Sequence, residues 1–181
     1  GIETIKLGFK GVIISFEPVK MVFEKLKINS KKYKLWETYN FGLGDNNEES
    51  LINISKNTFS SSILEIMPSH IKSAPESKII NNENITIKKL DSIFDTLVNK
   101  NDVVLLKIDV QGFEKKVIEG ARESLKKIKG IQIEMSIEEL YKDEMLYIDM
   151  INFLKGFGFN LYSLENGFYN EASGKLLQVD G

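Results

Sequence analysis

One short segment constrains the fold of this chain more than any other. It is an apolar run, residues 103–108, that ends in Asp109 and leads through Gly112 into a helix-like stretch. The run has the composition of a strand buried in a parallel sheet. Ligands of open α/β sheets bind beyond the carboxyl ends of the strands, so we expect Asp109 at the mouth of a binding crevice.

The composition favours one compact domain over residues 1–181 with a small-molecule partner. Of the 181 residues 42% are hydrophobic, which is enough for one continuous core. Lys and Arg number 24 against 26 Asp and Glu, so nothing attracts the chain as a whole to nucleic acid or an anionic membrane. The chain lacks cysteine and any apolar run of membrane-spanning length, and we expect a cytoplasmic protein without disulfides.

Strands and helices alternate along most of the chain, which predicts an α/β fold with a mixed sheet. Strands are predicted at residues 11–16, 33–43, 51–54, 85–90, 103–108 and 131–135, and helices at 19–29, 91–98, 113–128 and 145–157. A C-terminal antiparallel hairpin is predicted with arms at 159–164 and 175–179 and Asn166-Gly167 as its turn. Residues 56–84 show weak periodicity and are interpreted as a long loop that covers the active site.

Glu17 and the Gly44-Asp45 turn each follow a predicted strand, and each allows two interpretations. Nucleotide-binding α/β folds place an acid at a strand end to accept both hydroxyls of a ribose, whereas an ordinary acid at a helix start only complements the helix dipole. Asp45 could bring a carboxylate to an adenine amino group, or Gly44-Asp45 could be only a turn. The residues alone leave both choices open.

Further acids are predicted around the same crevice. An acid directly after an apolar strand must be solvated, paired or ligating, which favours a functional role for Asp109. Glu134 falls near the end of the next strand, so the two acids could serve base catalysis or bind Mg²⁺, although two acids are weak support and no metal is predicted. Glu114 lies in the first turn of a helix and is interpreted as structural.

The other polar motifs favour ordinary roles. His70, the only histidine, is predicted at the surface, although any serine–histidine chemistry would require it. The lysine pairs are interpreted as solvated faces. Ser60-Ser61-Ser62 could bind a substrate or form a turn, and the sequence does not decide between them.

Five motifs taken together resemble the FkbM family of S-adenosylmethionine-dependent methyltransferases. They are Ile14-Ser15-Phe16-Glu17-Pro18, Gly42-Leu43-Gly44-Asp45, Ser60-Ser61-Ser62, the segment from Leu106 to Glu114 and the segment from Gly174 to Asp180. Their order and spacing match as well, and the resemblance covers nearly the whole chain. It implies a Rossmann-like class I fold with helices on both faces of the sheet, which transfers a methyl group to a hydroxyl of a sugar or natural product.

The resemblance also implies roles for individual residues. Glu17 would hold the ribose of S-adenosylmethionine, and Leu43, Gly44 and Asp45 would border its adenine. Asp109 would lie beside the methionine end and the reacting methyl group, and Glu134 would face the acceptor. We therefore expect the acids at Glu17 and Asp109 to converge on one cleft, with Asp109 and Glu134 as the catalytic candidates.

The start of the chain departs from the family pattern. The family begins with a strand and a glycine-rich turn resembling Asp-x-Gly-Ala-Asn-x-Gly, which this sequence lacks, so we expect a domain truncated at its N-terminus. A catalytically inactive, methyltransferase-like binding module is one alternative. A nicotinamide-dependent oxidoreductase is another, because Glu17 would serve an NAD ribose equally well.

Overall fold

The computed structural model describes all 181 residues and confirms an α/β fold of six helices and nine strands. The helices are α1 (Ile2–Lys6), α2 (Lys20–Ser30), α3 (Pro68–Ser73), α4 (Leu90–Leu97), α5 (Glu114–Glu119) and α6 (Tyr147–Lys155). The strands are β1 (Ile13–Phe16), β2 (Trp36–Tyr39), β3 (Gly42–Leu43), β4 (Glu48–Ser55), β5 (Ile79–Lys88), β6 (Val104–Ile108), β7 (Ile128–Ser136), β8 (Glu165–Asn166) and β9 (Gln178–Asp180). Single 3₁₀ turns lie at Pro75–Ser77 and Ser124–Lys127.

The strands form three hydrogen-bonded sheets rather than one continuous sheet. β1 pairs with β2 in parallel, and β5 lies between β3, which is parallel to it, and β4, which is antiparallel. The third sheet has the order β6-β7-β9-β8, in which β6 and β7 are parallel and β9 is antiparallel to both of its neighbours. The carboxyl ends of β6 and β7 therefore lie side by side, which places the residues that follow them at one edge.

The main core lies around β6, β7, α5 and α6. It contains 14 buried residues, and Ile108, Val117, Ile118 and Ile133 are each at most 2% exposed. The apolar stripe predicted after Gly112 supplies much of it. A second cluster joins Val19 to isoleucines of β4 and β5. No helix of the structure combines the length and the apolar character needed to span a bilayer.

The helix predicted over residues 113–128 is divided in two. α5 ends at Glu119 because Gly120 packs against the turn after β3, where a Cβ on Gly120 would lie only 1.8 Å from the carbonyl oxygen of Gly44. The carboxylate of Asp91 then accepts the backbone N–H groups of Glu123 and Ser124 and starts a separate 3₁₀ turn. Gly130, predicted to end the helix, lies inside β7.

β6 is buried on one face only, whereas its sequence predicted burial on both. Ile108 is 2% exposed, but Leu105 on the opposite face is 71% exposed. Successive side chains of a strand point to opposite faces, so Leu105 and Lys107 share the open face. This alternation leaves Lys107 free to reach the acid that follows the strand.

Residues 56–84 are not one long loop. Their first part is joined to the rest of the fold by bridges from Asn53 to Ser62 and from Ile66 to Tyr141, and it is followed by α3. The last six residues belong to β5, which pairs with β4 along its length. Three asparagines and a glutamate occupy residues 81–84 of β5, and this polar composition conceals the strand in the sequence.

The predicted C-terminal hairpin is present with different arms. β8 and β9 pair antiparallel, but residues 159–164 form no strand. Asn166 is paired with Val179 and is part of an arm rather than the turn. The chain reverses instead near Asn170, whose side chain accepts the Ser173 N–H and whose own N–H donates to the carbonyl of Lys175.

Candidate active site

Asp109 lies directly after β6, where the sequence predicted it, and both of its carboxylate oxygens have a donor. Oδ2 is 3.0 Å from Nζ of Lys107, and Oδ1 accepts the side-chain amide of Gln111 at 2.9 Å. The Asp109 side chain is 45% exposed. The acid is thus paired and oriented while it remains open to a ligand.

The chain reverses sharply after Asp109 because two consecutive residues are left-handed. Gln111 has φ 57° and Gly112 has φ 92°. Glycine adopts this conformation at little cost, but glutamine does so only when its surroundings hold it. The turn directs the Gln111 side chain across the strand ends, where its amide nitrogen also donates to Oε2 of Glu134 at 2.8 Å. One amide therefore joins acids from two neighbouring parallel strands.

Glu134 lies on β7 with an environment suited to proton exchange. Its Oε2 accepts a second amide, that of Gln178 on β9, at 3.0 Å, whereas Oε1 has no hydrogen-bond partner in the protein. Burial, and next the charge of Asp109, raise the pKa of Glu134 to about 7 against the lowering effect of Gln111. A carboxyl group with a pKa near neutrality suits general base catalysis.

Gln111 is held at both its side chain and its backbone. The hydroxyl of Tyr141, a fully buried residue, donates to Oε1 of Gln111 at 2.8 Å and lies 3.3 Å from the carbonyl oxygen of Ser60. The hydroxyl of Ser62 donates to the Gln111 main-chain carbonyl at 2.6 Å. These contacts bring the serine motif against the site.

Glu114 accepts hydrogen bonds from the backbone of the same loop. Its side chain is buried at 6% exposure, and its Oε1 accepts the backbone N–H groups of Val110 and Gly112, each at 3.2 Å. Burial raises the pKa of Glu114 to about 7. The contacts support the structural interpretation of this acid, with the loop backbone as its partner.

Glu17 follows β1 and forms a separate group of contacts. Its Oε1 accepts the N–H of Val19 at 2.8 Å, and its Oε2 has no hydrogen-bond partner. Burial raises the pKa of Glu17, and the charge of Glu83 adds to the increase. No hydrogen bond or ion pair joins Glu17 to Asp109, so their convergence on one cleft stays a prediction.

The turn after β3 lies between these two groups. A Cβ on Gly42 would come within 3.5 Å of Pro18, and one on Gly44 within 3.0 Å of the ring of Phe113. Residues 42–45 therefore lie between the Glu17-Pro18 segment and the loop after Asp109. This proximity is what a ligand that touches all three segments requires.

Asp45 and Leu43 differ in what they can offer a ligand. Oδ2 of Asp45 is 2.8 Å from Nζ of Lys116 on α5, and Oδ1 has no hydrogen-bond partner. The Leu43 side chain lies in the main core, so only its backbone could border an adenine.

His70 is not at the surface, and that prediction is wrong. It is 3% exposed, and its ring lies between Tyr141 and Phe168, with centroid separations of 5.2 and 5.5 Å. Its Nδ1 has no hydrogen-bond partner. Burial lowers the pKa of His70 to about 4, against the raising effect of the Leu140 backbone. Packing against these two aromatic rings explains why His70 is buried although the surrounding segment shows little apolar pattern.

A groove of about 550 Å³ lies elsewhere and contains none of the predicted site residues. Residues 129–133 of β7 and 159–163 line it, because β9 pairs with only part of the β7 edge. No group of three or more His, Asp and Glu side chains is arranged to hold a metal ion.

The sequence predicted no role at this site for Gln111, Tyr141 or Gln178, and it did not decide the role of the serine motif that contains Ser62. Gln178 carried a signal, since it interrupts the apolar residues Leu176, Leu177 and Val179 near the end of the chain. Tyr141 carried none, because it lies 30 residues from Gln111 in sequence and outside any helix or strand.

Comparison with known proteins agrees with the fold and with the resemblance of the five motifs. A family model described as the Methyltransferase FkbM domain matches residues 2–161. The crystal structure of Methyltransferase FkbM from Methylobacillus flagellatus KT superposes with a TM-score of 0.53 at 12% identity, over 99% of this chain. The match covers 38% of that solved chain, so this chain spans well under half its length. The comparison with curated proteins gives no match. Because the family model covers most of its length, the chain belongs to the FkbM methyltransferase family.

Proposed function

We propose that the chain forms a single methyltransferase domain that binds S-adenosylmethionine and methylates a hydroxyl group of a sugar or natural product. One observation carries the proposal: Gln111 joins Asp109 and Glu134 at the carboxyl ends of two parallel strands. This edge is where α/β folds bind ligands, and an alcohol needs a nearby base before it becomes a good nucleophile.

The acids of the chain fit the polar groups of the cofactor. Oε2 of Glu17 and Oδ1 of Asp45 have no partner in the protein, and each can accept a hydrogen bond. Ribose hydroxyls and an adenine amino group are donors of this kind. Asp109, held by Lys107, offers negative charge toward the cationic end of the ligand.

The site residues supply position and proton transfer rather than covalent chemistry. Bound S-adenosylmethionine would supply a methyl carbon whose bond to sulfur breaks, with both electrons left on sulfur, as the acceptor oxygen bonds to the carbon. Glu17 and Asp45 would hold the adenosyl part, and Asp109 or Glu134 would take the proton of the acceptor hydroxyl. Fixing the acceptor oxygen in line is the main source of rate enhancement in such a displacement.

Calorimetry with S-adenosylmethionine tests the binding step on the wild-type chain and on Glu17→Gln. We expect binding to wild type and a loss of about tenfold in affinity in the variant, because a charge-assisted hydrogen bond is lost. Glu37→Gln, on the neighbouring strand β2, is the matched control and should bind like wild type. Equal affinity in all three proteins would exclude Glu17 from the cofactor site.

Methyl transfer is then measured with radiolabelled S-adenosylmethionine and a panel of methyl glycosides: glucoside, mannoside, rhamnoside and fucoside. Label in any glycoside supports O-methylation. Binding without transfer to any of them would support the inactive binding module, and tight binding of NAD in place of S-adenosylmethionine would support the oxidoreductase.

A further inference from the structure

Asp109 and Glu134 share one amide but differ in the hydrogen bonds that remain. Each oxygen of Asp109 has its own donor, from Lys107 and from Gln111. Glu134 receives both of its donors on Oε2, which leaves Oε1 without a partner. Oε1 of Glu134 is also accessible from outside the protein. The only side-chain nitrogen or oxygen that is both fully buried and without a hydrogen-bond partner is Nδ1 of His70. Glu134 therefore has the freer acceptor oxygen.

The charges around the two acids also favour proton uptake by Glu134 over proton uptake by Asp109. Asp109 is in an ion pair with Lys107. Glu134 forms no ion pair. The charges of Asp109 and Asp180 disfavour its ionised form, and the charge of Lys107 favours it. Burial and these charges give Glu134 a pKa of about 7. A general base works best when its pKa lies near the pH at which the enzyme operates.

The amide of Gln111 must present its nitrogen to both acids, and Tyr141 sets that orientation. The Tyr141 hydroxyl donates to Oε1 of Gln111, so the amide nitrogen, with its two hydrogens, faces the carboxylates. With the amide reversed, its oxygen would face two carboxylates, and the Tyr141 hydroxyl would keep only the carbonyl oxygen of Ser60, at 3.3 Å, as an acceptor. A buried tyrosine thus fixes how the two acids are held together.

We propose that Glu134 is the catalytic base, accepting the proton of the acceptor hydroxyl on Oε1, and that Gln111 and Tyr141 are positioning residues that hold it beside Asp109. This assignment rests on the proposed methyl transfer to a hydroxyl group. The proton moves from the acceptor oxygen to Oε1 as the new oxygen–carbon bond forms, and the electron pair of the broken carbon–sulfur bond stays on sulfur.

The positioning role is tested without ligand, by carbon NMR titration of the Glu134 carboxyl. Gln111→Met removes both donated hydrogen bonds at nearly constant volume, and Tyr141→Phe removes the hydroxyl that orients the amide. Because the lost donors stabilise the ionised form, we expect the pKa of Glu134 to rise by on the order of one unit in Gln111→Met and to rise less in Tyr141→Phe. The controls Gln132→Met and Tyr162→Phe, at exposed positions, should titrate like wild type. An unchanged Glu134 titration in Gln111→Met overturns the positioning role.

The catalytic role is tested by comparing Glu134→Gln with Asp109→Asn on the same methyl glycosides. We expect Glu134→Gln to lose about 10²- to 10⁴-fold in kcat with S-adenosylmethionine affinity nearly unchanged, and Gln111→Met to shift the acid limb of the kcat profile upward with the pKa of Glu134. Asp109→Asn should instead weaken cofactor binding. Full turnover in Glu134→Gln overturns the assignment and leaves the proposed function standing. A wild-type chain that neither binds S-adenosylmethionine nor transfers its methyl group overturns both.

Discussion

The hydroxyl of Ser62 lies 2.6 Å from the main-chain carbonyl oxygen of Gln111, a separation of 49 residues in sequence. The same hydroxyl oxygen accepts the N–H of Leu64 at 3.0 Å. Ser62 is 1% exposed, and its two partners are partly buried. The serine turn therefore contributes directly to the left-handed conformation of Gln111.

Ser62→Ala should destabilise the fold and loosen the Gln111 loop. A carbonyl and an N–H, both partly buried, lose a partner, which costs up to about 1–3 kcal/mol per group left unsatisfied. Urea denaturation measures the change in the free energy of unfolding. Ser163→Ala, at an exposed position, is the control and should stay near wild type. A loss below about 0.5 kcal/mol in Ser62→Ala would show that the bond does not stabilise the loop.

Gly120→Ala should separate α5 from the turn after β3. The added methyl group would meet the carbonyl oxygen of Gly44, a backbone atom that cannot rotate away. We expect a loss of about 1–3 kcal/mol in the free energy of unfolding, together with weaker S-adenosylmethionine binding because Asp45 is displaced. Thermal unfolding and calorimetry measure the two effects. Gly130→Ala is the matched control, since its nearest neighbour is the end of the exposed Leu105 side chain, which can move. Equal stability of the two variants would contradict the expected clash.

Local patterns were sufficient to predict several of the helices and strands and the strand-end position of Asp109. Alternation and helical spacing are short-range signals, and β1, α2, β6, β7 and α6 follow them closely. They do not report contacts between distant segments. The early end of α5 at Gly120 depends on the approach of Gly44, a residue 76 positions earlier, and no helical pattern contains that information.

The candidate site shows the same difference between short-range patterns and contacts between distant segments. Asp109 and Glu134 were predicted as site residues because Asp109 directly follows an apolar strand and Glu134 lies near the end of the next one. The bridge between them was not, because it depends on a left-handed glutamine, a conformation that sequence patterns assign to glycine or asparagine. His70 was misplaced for a related reason: its burial is produced by Tyr141 and Phe168, which lie 71 and 98 residues away.

Glu114→Gln should reduce the dependence of stability on pH between about pH 4.5 and 7. The pKa of Glu114 is raised from 4.5 to about 7 by burial, so the unfolded chain ionises first and the folded state loses stability as pH rises from 4.5 through 7. A shift of this size corresponds to a loss of roughly 3 kcal/mol when complete. The glutamine keeps an oxygen for the loop N–H groups but cannot ionise. Urea denaturation from pH 5 to 8 should therefore show the variant gaining stability relative to wild type. Glu123→Gln, an exposed acid, is the control, and a constant difference across this range would exclude the effect.

His70→Phe should gain stability relative to wild type as the pH falls. Burial lowers the pKa of His70 from 6.5 to about 4, so between these values the unfolded chain binds a proton that the folded state excludes, and wild type loses up to about 3 kcal/mol by pH 4. Phenylalanine keeps the ring packing against Tyr141 and removes Nδ1, which has no partner. The carbonyl of Leu140 still accepts the N–H of Met67. Denaturation at pH 7.5 and pH 4.5 measures the difference, and proton NMR of the single imidazole gives the pKa directly. A pKa near 6.5 in this titration would show that the ring is solvated. His70→Phe would then gain no stability relative to wild type as the pH falls.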